Sequence, residues 1–447
     1  MTIQRDRPGT NVDILGQAKA RVLPKTGVTL VPYLAEWGAA DTMVKMAGYD
    51  ERINETFGLV DEIELAAEGG ATIIGYRITS GNGVAASFTF TDAGKLTALY
   101  PGTKGNEIKV SVAPSSAEPG KKELTVKGPI KTEKFSFADK DELVTKTQLS
   151  LFVRYEKSGA TEIVDTSESA LTGGVTGTPA ALASADFTKL FSAIGGADFD
   201  TLYLPSDDAA IQASAKQFMA DRRKLNKKLS TLVIGGDAND DINMTKHNER
   251  SVAMNARYVI NNSIAGEHNN GKEYNSVQWA AWVAGIAAAT PGHISLTAQV
   301  VPLKKAKKDW THTEILTGLS SGTLMATRDG DVYIIESAVN TLSVVGTNER
   351  EGYGKIRVSM TLDQIVNDLL AAGKRFKGKL SNNDIGGAVF IGYGGTYLLV
   401  RETQGAIAPG WIFNDKKNGV EDRRGFYLKA TVLDAIEYFD VEWEEGA

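Results

Sequence analysis

The sequence predicts a multidomain fold of the α+β and α/β classes, and three observations lead to this prediction. The chain has 447 residues with a hydrophobic fraction of 42%, which is enough for several cores, because domains usually contain about 100–200 residues. Short alternating runs between residues 88 and 172 give way to alternating helical and extended patterns after Gly173. Residues 346–447 then combine an amphipathic helical pattern with apolar, β-type runs, which is typical of a mixed domain.

Residues 1–20 are polar and rich in turn formers, apart from a short apolar patch formed by Val12, Ile14 and Leu15. A segment of this composition cannot bury a core of its own, so we expect an N-terminal arm that adds to another surface. Residues 21–87 are expected to form the N-terminal part of the core. Their patterns predict a helix over Asp41–Ala47 and strands over Asp61–Leu65 and Ala71–Thr79.

Residues 88–172 are predicted to form a small, inserted all-β module. Ile108, Val110 and Val112 alternate with polar residues, as expected for a half-buried strand. Further strands are predicted at the runs Leu124–Val126, Phe135–Phe137 and Leu149–Tyr155, which are separated by Gly, Pro and Ser.

Residues 173–345 are predicted to form the central α/β domain. Strands over Thr201–Leu204 and Thr231–Ile234 flank a helix from Asp207 to about Leu229, for which Ser206 is the expected N-cap. This order indicates a right-handed, parallel β-α-β unit. Helices are also expected at Ala185–Ile194, Ser276–Ala289 and Glu314–Leu319, and Asp329-Gly330 predicts a hairpin turn.

Residues 346–447 are predicted to form a mixed C-terminal domain. Leu362, Ile365, Val366 and Leu369 have helical spacing, so a helix is expected over Leu362–Leu370. Strands are expected at Ala388–Tyr393, at Tyr397–Val400, with Gly392-Tyr393-Gly394-Gly395 as the turn between them, and at Gly425–Trp443. In this last strand Phe426, Leu428 and Val432 fall on one side.

The composition excludes several classes of chemistry. The chain contains no cysteine and has a net charge of −6, so we expect no disulfide, no thiolate site and no general nucleic-acid binding. Neither a signal peptide nor a membrane span is expected. The four histidines lack the spacing of a zinc site, and the acidic run at residues 237–241 lacks the glycine and glutamate of a calcium loop. We therefore predict no catalytic, metal-binding or cofactor-binding residues.

A cluster of basic residues follows the predicted helix at Leu362–Leu370 and consists of Lys374, Arg375, Lys377 and Lys379. Basic residues at this position complement the helix dipole. The same charges could also face an acidic partner, so a solvated surface and a contact surface both remain open.

Four groups of residues, in the same order along the chain, resemble segments of the contractile tail sheath family of phages, phage-like bacteriocins and related injection systems. The first is Arg7-Pro8-Gly9-Thr10. The second is Tyr100-Pro101-Gly102 with Gly105-Asn106-Glu107-Ile108-Lys109-Val110. The third is Leu171-Thr172-Gly173-Gly174 with Gly177. The fourth is Asp331-Val332-Tyr333-Ile334 with Val339-Asn340-Thr341-Leu342.

This resemblance implies a subunit that polymerises as stacked hexameric rings around an inner tail tube, with baseplate and tail terminator proteins as further partners. It also implies assembly in the host bacterial cytoplasm, and N- and C-terminal arms that complete sheets of neighbouring subunits by β-augmentation. The arm residues would be Val12, Ile14, Leu15, Phe426, Leu428 and Val432, and the basic cluster would face the tube. Two alternatives are an α/β enzyme acting on a nucleotide or sugar and a non-contractile tail or shell protein.

Overall fold

The computed structural model describes residues 27–47, 53–179, 182–347, 349–418 and 420–437. Within these residues the strands are, in chain order, β1 Val28–Tyr33, β2 Met43–Met46, β3 Thr72–Arg77, β4 Ser87–Phe90, β5 Gly94–Ala98, β6 Lys109–Pro114, β7 Lys122–Lys127, β8 Thr132–Phe137, β9 Val153–Glu156, β10 Thr166–Ala170, β11 Thr201–Tyr203, β12 Thr231–Ile234, β13 Val259–Asn262, β14 Gly266–His268, β15 Glu273–Tyr274, β16 Val300–Val301, β17 Leu303–Ala306, β18 Thr323–Leu324, β19 Ala326–Asp329, β20 Val332–Ile335, β21 Ile412–Asp415 and β22 Phe426–Lys429.

The helices are α1 Ile53–Phe57, α2 Asp61–Glu68, α3 Lys140–Thr147, α4 Ser184–Ile194, α5 Ala209–Lys224, α6 Met244–Met254, α7 Ser276–Ala289, α8 His312–Ser321, α9 Ile356–Phe376 and α10 Asp384–Thr403. Short 3-10 turns lie at Thr103–Glu107 and Glu351–Gly354.

The centre of the molecule is a seven-stranded sheet with the order β18-β13-β12-β11-β1-β3-β2. All neighbouring pairs are parallel except β2 with β3. Successive residues of β1 face opposite sides, so that Leu30 packs with α4 and α5 while Val31 packs with α2 and α7. Apolar side chains on both faces explain why these strands read as continuous hydrophobic runs. The predicted β-α-β unit is confirmed as β11, α5 and β12.

Two antiparallel sheets follow in the chain between β4 and β10. One has the strand order β10-β6-β7-β8 and the other β4-β5-β9. They share a core that includes Val110, Leu124, Leu96 and Tyr155. The prediction of β structure throughout this region is wrong at α3, where the Asp139 side chain accepts a hydrogen bond from the Glu142 N–H and caps a short helix.

After the central sheet, the chain forms two long helices and one hairpin. Helix α9 extends well beyond the predicted Leu362–Leu370 at both ends. Helix α10 lies between α9 and the hairpin of β21 and β22, as its Phe390 ring contacts Phe376 of α9 at 5.8 Å and Phe426 of β22 at 4.7 Å, measured between ring centroids. A small core containing Ile365, Leu398 and Phe413 holds these elements together.

The two strands predicted at Ala388–Tyr393 and Tyr397–Val400 are wrong, because both segments belong to α10. Asn383 caps this helix by accepting a hydrogen bond from the Gly386 N–H at 2.9 Å. The predicted turn at residues 392–395 therefore lies inside a helix. A Cβ atom on Gly394 would collide with the Phe413 ring, so this glycine allows the helix to approach the hairpin closely.

Three further local predictions are wrong. The predicted helix at Asp41–Ala47 is the edge strand β2, which pairs with β3. The predicted strand at Asp61–Leu65 is helix α2, whose buried face packs on α7. The N-cap of α5 is Asp208 rather than Ser206, since the Asp208 carboxylate accepts hydrogen bonds from two N–H groups of the first turn. In each case tertiary packing or a nearer cap outweighed the local pattern.

Candidate assembly surface

The predicted C-terminal arm residues contact the core of their own chain. Phe426 and Leu428 lie on the inner face of β22, and Val432 forms an isolated bridge with Ile407. Val12, Ile14 and Leu15 lie outside the described residues. A role of these six residues between subunits therefore stays a prediction.

The hairpin has two strand edges that lack a partner within the part of the chain that the structure describes. There β21 and β22 pair only with each other, over a register from Ile412↔Lys429 to Asp415↔Phe426. A two-stranded sheet is marginal by itself, and unpaired N–H and C=O groups along its edges can bind further strands. Edges of this kind can accept a further strand by β-augmentation.

The four residues of the basic cluster are exposed and close together in sequence. Lys374 and Arg375 lie in the last turn of α9, Lys377 is its C-cap residue, and Lys379 follows in the turn. None of the four forms an ion pair with another described residue. These charges are therefore available to a partner.

Helix α10 exposes an apolar stripe that the sequence reading missed. Ile385, Val389, Tyr393 and Val400 are 76%, 44%, 38% and 49% exposed, and Leu399 beside them is 56% exposed. The spacing of Ile385, Val389 and Tyr393 by four residues places them on one face of the helix. The signal was present in the sequence, but it required the segment to be read as a helix. Exposed apolar surface of this kind is typical of an interaction site.

A buried ion-pair network connects α9 to the central sheet. Asp363 of α9 accepts hydrogen bonds from Arg223, in the last turn of α5, and from Arg257, in the loop before β13. Asn367, one turn further along α9, accepts from the Leu229 N–H at 3.2 Å and donates to the Leu229 carbonyl at 2.8 Å. Helix α9 therefore has a fixed position relative to the sheet.

The histidines have separate, local contacts. Burial, together with the nearby charge of Arg250, lowers the pKa of His247 to about 3. His268 Nε2 lies 2.8 Å from Glu68 Oε2. Burial alone would lower the pKa of His268, but the hydrogen bond and charge of Glu68 raise it. Within residues 27–437, where described, no three His, Asp or Glu side chains are arranged to hold a metal ion.

A cavity of about 90 Å³ lies between the central sheet and α9. Its walls include Asp200, Ser230, Thr231 and Asn367. Burial raises the pKa of Asp200, whose carboxylate accepts a hydrogen bond from the Val28 N–H. The volume is well below the ~300 Å³ of a typical small-molecule site. The described helices include none that is long and apolar enough to cross a membrane.

Residues 180–341 match the family model of the phage tail sheath protein central domain. The chain contains a phage tail sheath central domain. The resemblance drawn from the sequence is thereby confirmed. The matched segment includes β11, β12, β13 and β18 of the seven-stranded sheet and the helices between them.

Two curated proteins and a solved structure align over nearly the whole chain. An uncharacterized protein of Bacillus subtilis, YqbK, is 27% identical, and the alignment covers 98% of this chain and 97% of that one. The phage-like element PBSX protein XkdK of the same organism is 25% identical, with the same coverage. The crystal structure of a sheath tail protein from Desulfitobacterium hafniense has a TM-score of 0.70 at 20% identity, and it covers 95% of this chain and 100% of its own. The mixed α/β fold is thus shared with that sheath tail protein.

The sheath central domain supplies the two arginines of the buried ion-pair network around Asp363. Arg223 and Arg257 lie within residues 180–341, whereas Asp363 lies beyond them in α9. The basic cluster lies at the C-terminal end of α9, and the exposed stripe and the hairpin follow this helix. The network therefore connects the sheath central domain to the candidate assembly surface.

Proposed function

We propose that the chain is a structural subunit of a contractile tail sheath, which polymerises as stacked hexameric rings around an inner tube and drives that tube through a target cell envelope by contracting. The observation that carries this proposal is the joint presence of a sheath central domain and a two-stranded hairpin with open edges. Open strand edges of this kind allow the next copy in a polymer to add a strand.

The arms would connect neighbouring copies. In this proposal the N-terminal segment with Val12, Ile14 and Leu15 adds a strand to an open edge of a neighbour's hairpin. Backbone hydrogen bonds would supply the strength and alternate side chains the register. Phe426, Leu428 and Val432 would contribute from the receiving subunit. They belong to the apolar layer that packs the receiving hairpin against the core of its own subunit.

The proposed division into domains keeps the bounds that the sequence pattern indicates. We propose an arm at 1–20, the N-terminal part of the sheath core at 21–87, an inserted β module at 88–172, an α/β domain at 173–345 and a C-terminal polymerisation domain at 346–447. An apolar core around Val110 and Leu124 supports the inserted β module. A separate core around Leu398 and Phe413 supports the C-terminal domain.

The energy for contraction would come from contacts between subunits. New lateral contacts worth ~1–3 kcal/mol per subunit, the size of an ordinary coupling free energy, would add up over many copies. The partners in this proposal are further copies of the chain, the inner tube, the baseplate and the tail terminator. Assembly would take place in the host bacterial cytoplasm, as part of a virion or a phage-like particle.

Removal of residues 1–20 tests the proposal. We expect the shortened protein to fold, because residues 1–20 are polar and rich in turn formers and cannot bury a core of their own, but to form no ordered sheaths in electron micrographs. A triple variant, Val12→Ser, Ile14→Ser and Leu15→Ser, should behave in the same way. The matched control, with Thr10→Ser, Asn11→Ser and Gln17→Ser, should assemble normally.

Two results would contradict this account. Ordered sheaths from the shortened protein would refute the role of the N-terminal arm. Tubes of wild-type protein that keep one length under every trigger would favour the non-contractile alternative.

A further inference from the structure

The carboxylate of Glu437 is held by three hydrogen-bond donors. It accepts hydrogen bonds from Thr297 Oγ1 at 2.7 Å, from Ser337 Oγ at 2.9 Å and from Lys355 Nζ at 2.6 Å. The Glu437 side chain is only 7% exposed. Hydrogen bonds to an ionised group are among the stronger ones in proteins, so this contact is a firm one.

The three donors form a site that is organised independently of Glu437. Thr297 Oγ1 also accepts a hydrogen bond from the Ala338 N–H at 2.9 Å. Lys355 Nζ also donates to Ser337 Oγ at 2.8 Å. Each donor is thus oriented by a neighbour on another part of the chain, which makes the site a pre-organised receptor for a carboxylate.

The residues before Glu437 are held much less firmly. The N–H of Leu433 donates to the Ala406 carbonyl at 3.0 Å. Beyond it, Asp434 and Ile436 are exposed, the latter at 73%. Glu437 is therefore the point at which this strap, residues 433–437, is attached to the body of the subunit.

We propose that Thr297, Ser337 and Lys355 form a carboxylate-binding site whose occupant, Glu437, fixes the point and direction from which residues 438–447 leave the subunit. Glu437 is thus a positioning residue for a contact between copies. This inference rests on the proposed function, because a fixed exit matters only if that segment reaches a neighbour. Residues 438–447 can span at most about 35 Å when extended, and Phe439, Val441 and Trp443 alternate with Asp440, Glu442 and Glu444, a pattern typical of a strand.

The anchor can be tested with Glu437→Gln, which keeps the size of the side chain and removes its charge. Hydrogen exchange of the peptide that covers residues 430–437 measures how firmly the strap is held. We expect about tenfold faster exchange in the variant, the effect of weakening one charge-assisted hydrogen bond. Lys355→Met should have the same effect from the receptor side. The control, Glu421→Gln, changes an exposed carboxylate of the same region and should leave the exchange rate unchanged.

Assembly is the second readout. We expect both anchor variants to keep the wild-type circular dichroism spectrum but to form sheaths in much lower yield. Unchanged exchange in Glu437→Gln would refute the anchor. Faster exchange with normal sheaths would refute its positioning role. If the wild-type protein formed no sheaths, the proposed function would fail and the positioning role with it, whereas the exchange result would still decide whether the carboxylate site exists.

Discussion

Arg223 and Asp363 form a bidentate ion pair, in which each of two guanidinium nitrogens lies 2.6 Å from one carboxylate oxygen. The side chains of both residues are less than 10% exposed. Arg257 adds a third hydrogen bond at 3.0 Å, and the Tyr258 ring lies 4.9 Å below the Arg223 guanidinium. A motion of α9 relative to the central sheet would have to break this buried pair.

Replacement of Asp363 should therefore be costly. Asp363→Asn leaves the nearly buried guanidinium of Arg223 and the partly buried guanidinium of Arg257 without their counter-ion, so we expect the free energy of unfolding to fall by about 3–5 kcal/mol. Urea denaturation measures this loss. Asp221→Asn, an exposed carboxylate on the same α5 helix, is the control and should change stability by less than about 0.5 kcal/mol. A loss of that small size in Asp363→Asn would mean that the network does not hold α9.

Two glycines of α10 should respond in opposite ways to alanine. In Gly394→Ala the new Cβ would collide with the Phe413 ring, so we expect a loss of about 1–3 kcal/mol from overpacking. Gly392 has open space around it, and Gly392→Ala should stabilise the helix by up to about 1 kcal/mol. Thermal unfolding of both variants measures the difference. Equal effects at the two positions would contradict the close contact between α10 and the hairpin.

Between residues 173 and 345 the sequence predicted the α/β elements well because their signals are local. Helix α7 was predicted with the same bounds as in the structure, Ser276–Ala289, and the strands around α5 were also correct. The Asn275 cap and the long apolar run are both visible in the sequence, and packing on the sheet agrees with them.

The candidate assembly surface was predicted less well because it depends on contacts between distant segments. Helix α10 contains five glycines, a composition that disfavours a helix in isolation. Gly394 is explained by the approach of Phe413, and Gly387 by the approach of the Asp415 and Arg424 side chains, which the sequence alone does not reveal. The anchor at Glu437 was not predicted for the same reason, since Thr297, Ser337 and Lys355 come from three separate parts of the chain.

His247 should make the protein less stable in mild acid. Its pKa is lowered to about 3 in the fold, against about 6.5 in an unfolded chain. Between these values the unfolded state binds one more proton, so the free energy of unfolding should fall by about 1.4 kcal/mol per pH unit as the pH decreases. Urea denaturation at pH 6 and pH 5 measures this slope. His247→Gln should make the slope shallower, whereas the exposed control His312→Gln should not. Equal slopes in all three proteins would rule out this role of His247.

Charge reversal of the basic cluster should impair assembly on the inner tube without affecting folding. Lys374, Arg375, Lys377 and Lys379 are exposed and make no ion pair with another described residue, so changing all four to Glu should preserve the fold, with a small loss of thermal stability because Lys374 and Arg375 complement the dipole of α9. If these residues contact an acidic tube, the reversal turns attraction into repulsion, and sheath formation on purified tubes should be lost.

A matched control separates this contact from an effect of net charge. Changing Lys95, Lys224, Lys227 and Lys416 to Glu alters the net charge equally at four other exposed positions. We expect this control to assemble on tubes, with a modest dependence on salt. Because screening weakens an exposed charge contact, wild-type assembly on tubes should also decline between low and high salt. If the charge-reversed protein bound tubes as the wild type does, the proposed contact would be wrong. It would also be wrong if the control lost tube binding to the same extent.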